Sequence, residues 1–159
     1  MDSTLAVLIG TTAAFAGAVA YLHLHGNIGS RRAGLAAAGA SAAVTATFLL
    51  MLQLAAVSLP AVLGLVALTS GATAYLTFAP DLGPRRAALA AGGAATVITA
   101  SFLAVLYLAV IAFIAAVGAY LLLRTRLRIA PSMILMGTTL TGLLAAAALA
   151  FWASLTYAM

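Results

Sequence analysis

GSRRAGLAAAGASAAVTATFLLMLQLAA, residues Gly29–Ala56, returns 54 residues later as GPRRAALAAGGAATVITASFLAVLYLAV, residues Gly83–Val110. Sixteen of the 28 positions are identical, and they include the paired Arg, Thr45 with Thr99, and Phe48 with Phe102, so alanine richness alone does not produce the match. Upstream, Ala20-Tyr21-Leu22 falls on Ala74-Tyr75-Leu76 and Gly17 on Gly71. Each copy opens on Gly-X-Arg-Arg and then stays free of charge for longer than the ~20 residues a helix needs to cross a hydrocarbon layer. A duplicated helical hairpin is the reading, with both copies in one orientation.

The rest of the chain has the same character. Hydrophobic residues make up 66% and charged ones 6%, against about a quarter charged in an ordinary soluble domain. Lys and Glu are absent, and the charges are seven Arg with Asp2 and Asp81. A water-soluble fold is excluded; the sequence predicts an all-α, polytopic transmembrane helical bundle forming a single integral membrane domain over residues 1–159.

Breaks are expected where Gly, Pro, Asn, Asp and Arg gather. The first repeat covers about residues 4–57, with helices over about 4–24 and 33–57; the second covers about 61–123. A last helix is expected over about 131–157. Residues 87–123 contain no Pro, Asn, Asp or charge to mark a turn. A turn inside lipid would leave backbone groups without partners, so one long tilted helix is preferred there. That gives five helices, with six as the alternative. Six would place all seven Arg on one face, whereas five would split them four and three.

Arg31, Arg32, Arg85, Arg86, Arg124, Arg126 and Arg128 each border a long apolar run, the pattern of loop anchors meeting lipid head groups and not of a nucleic-acid interface. The positive-inside bias then makes the Arg-Arg loops cytoplasmic and the N-terminus external. The end of the first run resembles a signal-peptidase site at Ala18-Val19-Ala20, but the acidic start and the later recurrence of this segment favour a retained span.

Small-residue ladders run through Gly34 and Gly39, and through Gly92 and Gly93, and are expected to let helix backbones approach closely. Thr45, Phe48 and their mates Thr99 and Phe102 share one face of the second helix in each copy and are read as a packing seam. Tyr21, Tyr75, Tyr120, Trp152 and Tyr157 are expected in the interfacial aromatic belt, and Gln53 at depth, bonding across helices.

Chemistry is sparse. No carboxylate is expected inside the membrane, which argues against an ion-coupled carrier or rotor subunit. Cysteine is absent, removing disulfides and thiolate chemistry. His23 and His25 are the only imidazoles; two residues apart, they point ~200° apart and cannot clamp one haem from both sides. Either remains a candidate cofactor ligand only with a histidine of a partner chain, so no cofactor is assigned. No nucleophile, phosphate loop or metal spacing is present. The expectation is a non-enzymatic integral membrane subunit of a larger complex, respiratory or otherwise energy-converting, whose partners are other membrane subunits or copies of itself, and lipid. The alternative is a homo-oligomeric channel or carrier for a small neutral solute.

Overall fold

A computed structural model of the chain describes residues Ser3–Tyr157, the side chains of Ser154, Leu155 and Tyr157 excepted. It is a helical membrane bundle of six helices: α1 (Ser3–Ile28), α2 (Ser30–Ala55), α3 (Leu59–Leu82), α4 (Pro84–Val105), α5 (Tyr107–Arg124) and α6 (Ile129–Tyr157). All six are long and apolar enough to cross a membrane. The expectations placed on Asp2 and on the Tyr157 side chain lie outside the described residues.

The helices pair as three antiparallel hairpins, α1 with α2, α3 with α4, and α5 with α6. In the first two, a single glycine joins the helices: Gly29 at φ 78°, ψ 161° and Gly83 at φ 78°, ψ 164°. This region is open essentially to glycine alone, because a Cβ would collide with the backbone. Each glycine carbonyl accepts the first bond of the helix that follows, from Ala33 and Ala87 at 3.0 Å. The chain therefore reverses at the Arg-Arg positions with almost no loop. The helices also extend further into these turns than sequence suggests, so that His25, Asn27, Pro80 and Asp81 all lie on helix.

The expected single helix over residues 87–123 is replaced by two, and the six-helix alternative holds. Leu106 breaks the run at φ 51°, ψ −131°. Its N–H donates to the Phe102 carbonyl at 2.8 Å and its own carbonyl accepts from Ala109 at 3.1 Å, so the one-residue turn satisfies its own polar groups. The 22 residues of α4 rise ~33 Å, enough to cross a ~30 Å hydrocarbon core. The objection to a bare turn in lipid thus lapses, since α4 is long enough to carry the break to the far interface.

Within each of the first two hairpins, the close approach is made by a glycine at equivalent positions. A Cβ on Gly17 would run into Ser41 and sit 3.1 Å from the Ala37 carbonyl; on Gly71 it would lie 3.5 Å from the Ala95 Cβ and 3.6 Å from the Ala91 carbonyl. Ser41 also donates across the hairpin to the Ala13 carbonyl at 2.8 Å. Buried residues match at the same interval: Ala33 with Ala87, Phe48 with Phe102, Met51 with Val105.

Helix α5 is the hub. It is apolar on all sides, the pattern of a buried helix, and packs against α1, α3, α4 and α6. Gly118 lets Phe15 and Val19 of α1 reach its backbone. Helix α6 lies outside, held against α5 and more lightly against α4, and leaves most of its surface exposed.

Candidate functional site

With six helices, all three Arg-bearing turns lie at one end of the bundle, since α1, α3 and α5 all run towards it. The side chains show this directly. Asp81, near the end of α3, accepts from Arg124, at the end of α5, through both Nε and Nη2 at 3.0 Å. The Tyr120 hydroxyl donates to the same carboxylate at 2.5 Å, and its ring meets Phe78 edge-on at a centroid distance of 5.0 Å. The bidentate guanidinium is the stronger of the possible carboxylate pairings and fixes both groups in plane. The side chains of Asp81 and Arg124 retain 18% and 31% exposure, so the pair is neither fully dry nor fully wet.

His23 lies on α1 near the same end of the bundle. Its Nδ1 is buried and, among the described residues, has no hydrogen-bond partner. His25 faces elsewhere, stacking on Tyr21 with ring centroids 5.0 Å apart, as expected for positions on opposite sides of a helix. No cluster of three or more metal-ligating side chains occurs among the described residues.

Below this polar layer lies a cavity of about 440 Å³. It is bounded by α1, α2, α3 and α5, with Ile98 of α4 also in its wall, in the space between α1 and α3, which make at most slight contact. Its walls are apolar, with Phe15, Phe48, Val66, Phe113 and Leu121 among them. Four of the five hydroxyls that line it are occupied: Thr47, Thr69, Ser70 and Thr77 donate to the carbonyls of Ala43, Leu65, Val66 and Thr73 in their own helices, and the fifth is that of Thr73. The polar layer sits one turn beyond the lining. His23 follows Ala20 by three residues, Asp81 follows Thr77 by four, and Arg124 follows Leu121 by three, so each projects from the face that lines the cavity.

The structure places several residues differently from their sequence-based reading. Tyr120 is wholly buried in the Asp81 cluster instead of the aromatic belt, whereas Tyr75 and Trp152 are exposed. Arg124 is an ion-pair partner; Arg31, Arg32, Arg85, Arg86, Arg126 and Arg128 are exposed at the same end. Gln53 is exposed two residues before the end of α2, not at depth. Phe48 and Phe102 are buried and converge on Tyr107, at centroid distances of 6.4 and 5.6 Å. Thr45 donates to the Ser41 carbonyl at 2.9 Å, while Thr99 Oγ1 is buried without a partner among the described residues. Around Gly34, Gly39, Gly92 and Gly93, a Cβ would meet nothing within 4 Å: these ladders face outward, and the internal close approaches belong to Gly17, Gly71 and Gly118.

No family model, curated protein or solved structure matches the chain.

Proposed function

We propose that this chain is a non-catalytic subunit of a larger membrane complex, of the energy-converting kind, and that it braces partner subunits with its outer helix faces. The observation that carries the proposal is the outward placement of Gly34, Gly39, Gly92 and Gly93 on α2 and α4. Lipid supplies no hydrophobic drive for helix association, so membrane helices associate by close dispersion contact across small residues. Here the small-residue surfaces are left open after the chain has folded on itself. The largely uncovered α6 adds a third such face.

The cavity favours a second reading, a carrier for a small neutral solute. Against it, four of the five lining hydroxyls already donate to their own helices, leaving few donors to replace a solute's water. In either reading the arginine-bearing end is cytoplasmic by the positive-inside bias, and both termini are external. Gentle detergent extraction followed by native mass spectrometry tests the proposal. Stoichiometric co-purification with larger chains is expected; a homo-oligomer or monomer alone contradicts it.

A further inference from the structure

We propose that the cavity between the first two hairpins is a binding site for one anionic membrane phospholipid, with an acyl chain inside and the phosphate at the arginine-bearing end. This inference stands apart from the subunit reading.

Shape is the first argument. Along α3 the lining runs from Val66 to Thr77, eleven residues, or ~16 Å of helix rise. That is about half of a ~30 Å hydrocarbon core, the depth one leaflet's chains occupy. The volume, about 440 Å³, lies within the ~300–1,000 Å³ of ordinary ligand sites. The mouth faces lipid, since Phe15 on α1 and Leu76 on α3 are 40% and 72% exposed. A chain can enter sideways from the bilayer without crossing polar surface.

Charge is the second argument, and it selects the head group. Asp81 is the only carboxylate among the described residues, and it is already paired with Arg124. Among the described residues, the other six Arg at that end have no carboxylate to neutralise them. Arg31 and Arg32 flank the first hinge and Arg85 and Arg86 the second, on the two hairpins that form the cavity. His23, whose buried Nδ1 lacks a partner among the described residues, adds a nitrogen on the cavity-lining face of α1. An acidic phosphate satisfies this end; a zwitterionic head group brings a cation with it.

The experiment uses the full chain in mild detergent, titrated with phosphatidylglycerol or phosphatidylcholine of identical acyl chains and read by native mass spectrometry. One phosphatidylglycerol should be retained after other lipids have been stripped, with at least about fivefold preference over phosphatidylcholine, given ~1 kcal/mol per arginine near a charged surface. Thr73→Phe, or Ala43→Leu from the opposite wall, fills the cavity and should abolish the retained adduct, while Leu89→Phe, exposed on α4 and outside the lining, should leave it. Replacing Arg31, Arg32, Arg85 and Arg86 with Gln should remove the preference. Equal retention of both lipids, an adduct indifferent to both cavity-filling substitutions, or a lipid-free dimer overturns the proposal; folded variants are identified by unchanged helical circular dichroism.

Discussion

Alanine at Gly17 and at Gly71 should give opposite results, although the two glycines occupy the same place in their hairpins. At Gly71 the new methyl makes ordinary contacts, 3.5 Å from the Ala95 Cβ and 3.6 Å from the Ala91 carbonyl. The substitution then brings only the ~1 kcal/mol by which alanine exceeds glycine in a helix interior. At Gly17 the methyl cannot coexist with Ser41 Oγ, and the Ala37 carbonyl is only 3.1 Å away. Ser41 must rotate and give up its bond to Ala13, worth ~0.6 kcal/mol between membrane helices, and the backbones must separate at an overpacking cost of ~1–3 kcal/mol. After the ~1 kcal/mol propensity gain, Gly17→Ala should be destabilised by ~0.5–2.5 kcal/mol. Adding Ser41→Ala reproduces the contact that Gly71→Ala makes with Ala95 in the second hairpin and should recover part of that loss. Reversible unfolding in mixed micelles, followed by circular dichroism, measures all three variants. Equal stability of Gly17→Ala and Gly71→Ala would falsify the close-approach account.

Gly29→Ala and Gly83→Ala should each cost ~1–3 kcal/mol in the same assay, because both hinges sit at φ 78° in a region alanine avoids. Leu106→Gly should stabilise by ~1 kcal/mol or more, since it relieves a positive φ at an exposed side chain; a loss of stability there would mean that the leucine is held by packing. Asp81→Asn should lower the unfolding midpoint more than Tyr120→Phe does, because it removes the charge and one of the two acceptor oxygens that Arg124 and Tyr120 share, whereas Tyr120→Phe leaves the ion pair intact.

Much of this architecture is written in the residues. The Gly-X-Arg-Arg pairs mark both hinges to the residue, and the 54-residue interval locates matching buried positions such as Phe48 and Phe102. The break at Leu106 was not legible, because no residue type there prefers a turn; the conformation is imposed by α5 folding back into the core. The arginine count held the signal, as only an even number of helices brings all seven to one end. The Asp81–Tyr120–Arg124 cluster was hidden for the same reason. With α4 and α5 read as one helix, Tyr120 and Arg124 fall at the end opposite Asp81. Outward and inward glycines are likewise indistinguishable by spacing alone, since Gly34 and Gly17 sit in equally small-rich surroundings and only the packing of α2 on α1 separates them.

The arrangement of three hairpins with a common basic end is tested most directly by side-specific cysteine labelling in sealed vesicles. The chain has no native cysteine, so single substitutions report cleanly. Cysteines at Ser30, Arg86 and Arg126 should all react from one side and a cysteine at Val57 from the other. Labelling of Arg126→Cys from the side opposite Ser30→Cys would mean that residues 87–123 cross once, and the three-hairpin fold would be wrong.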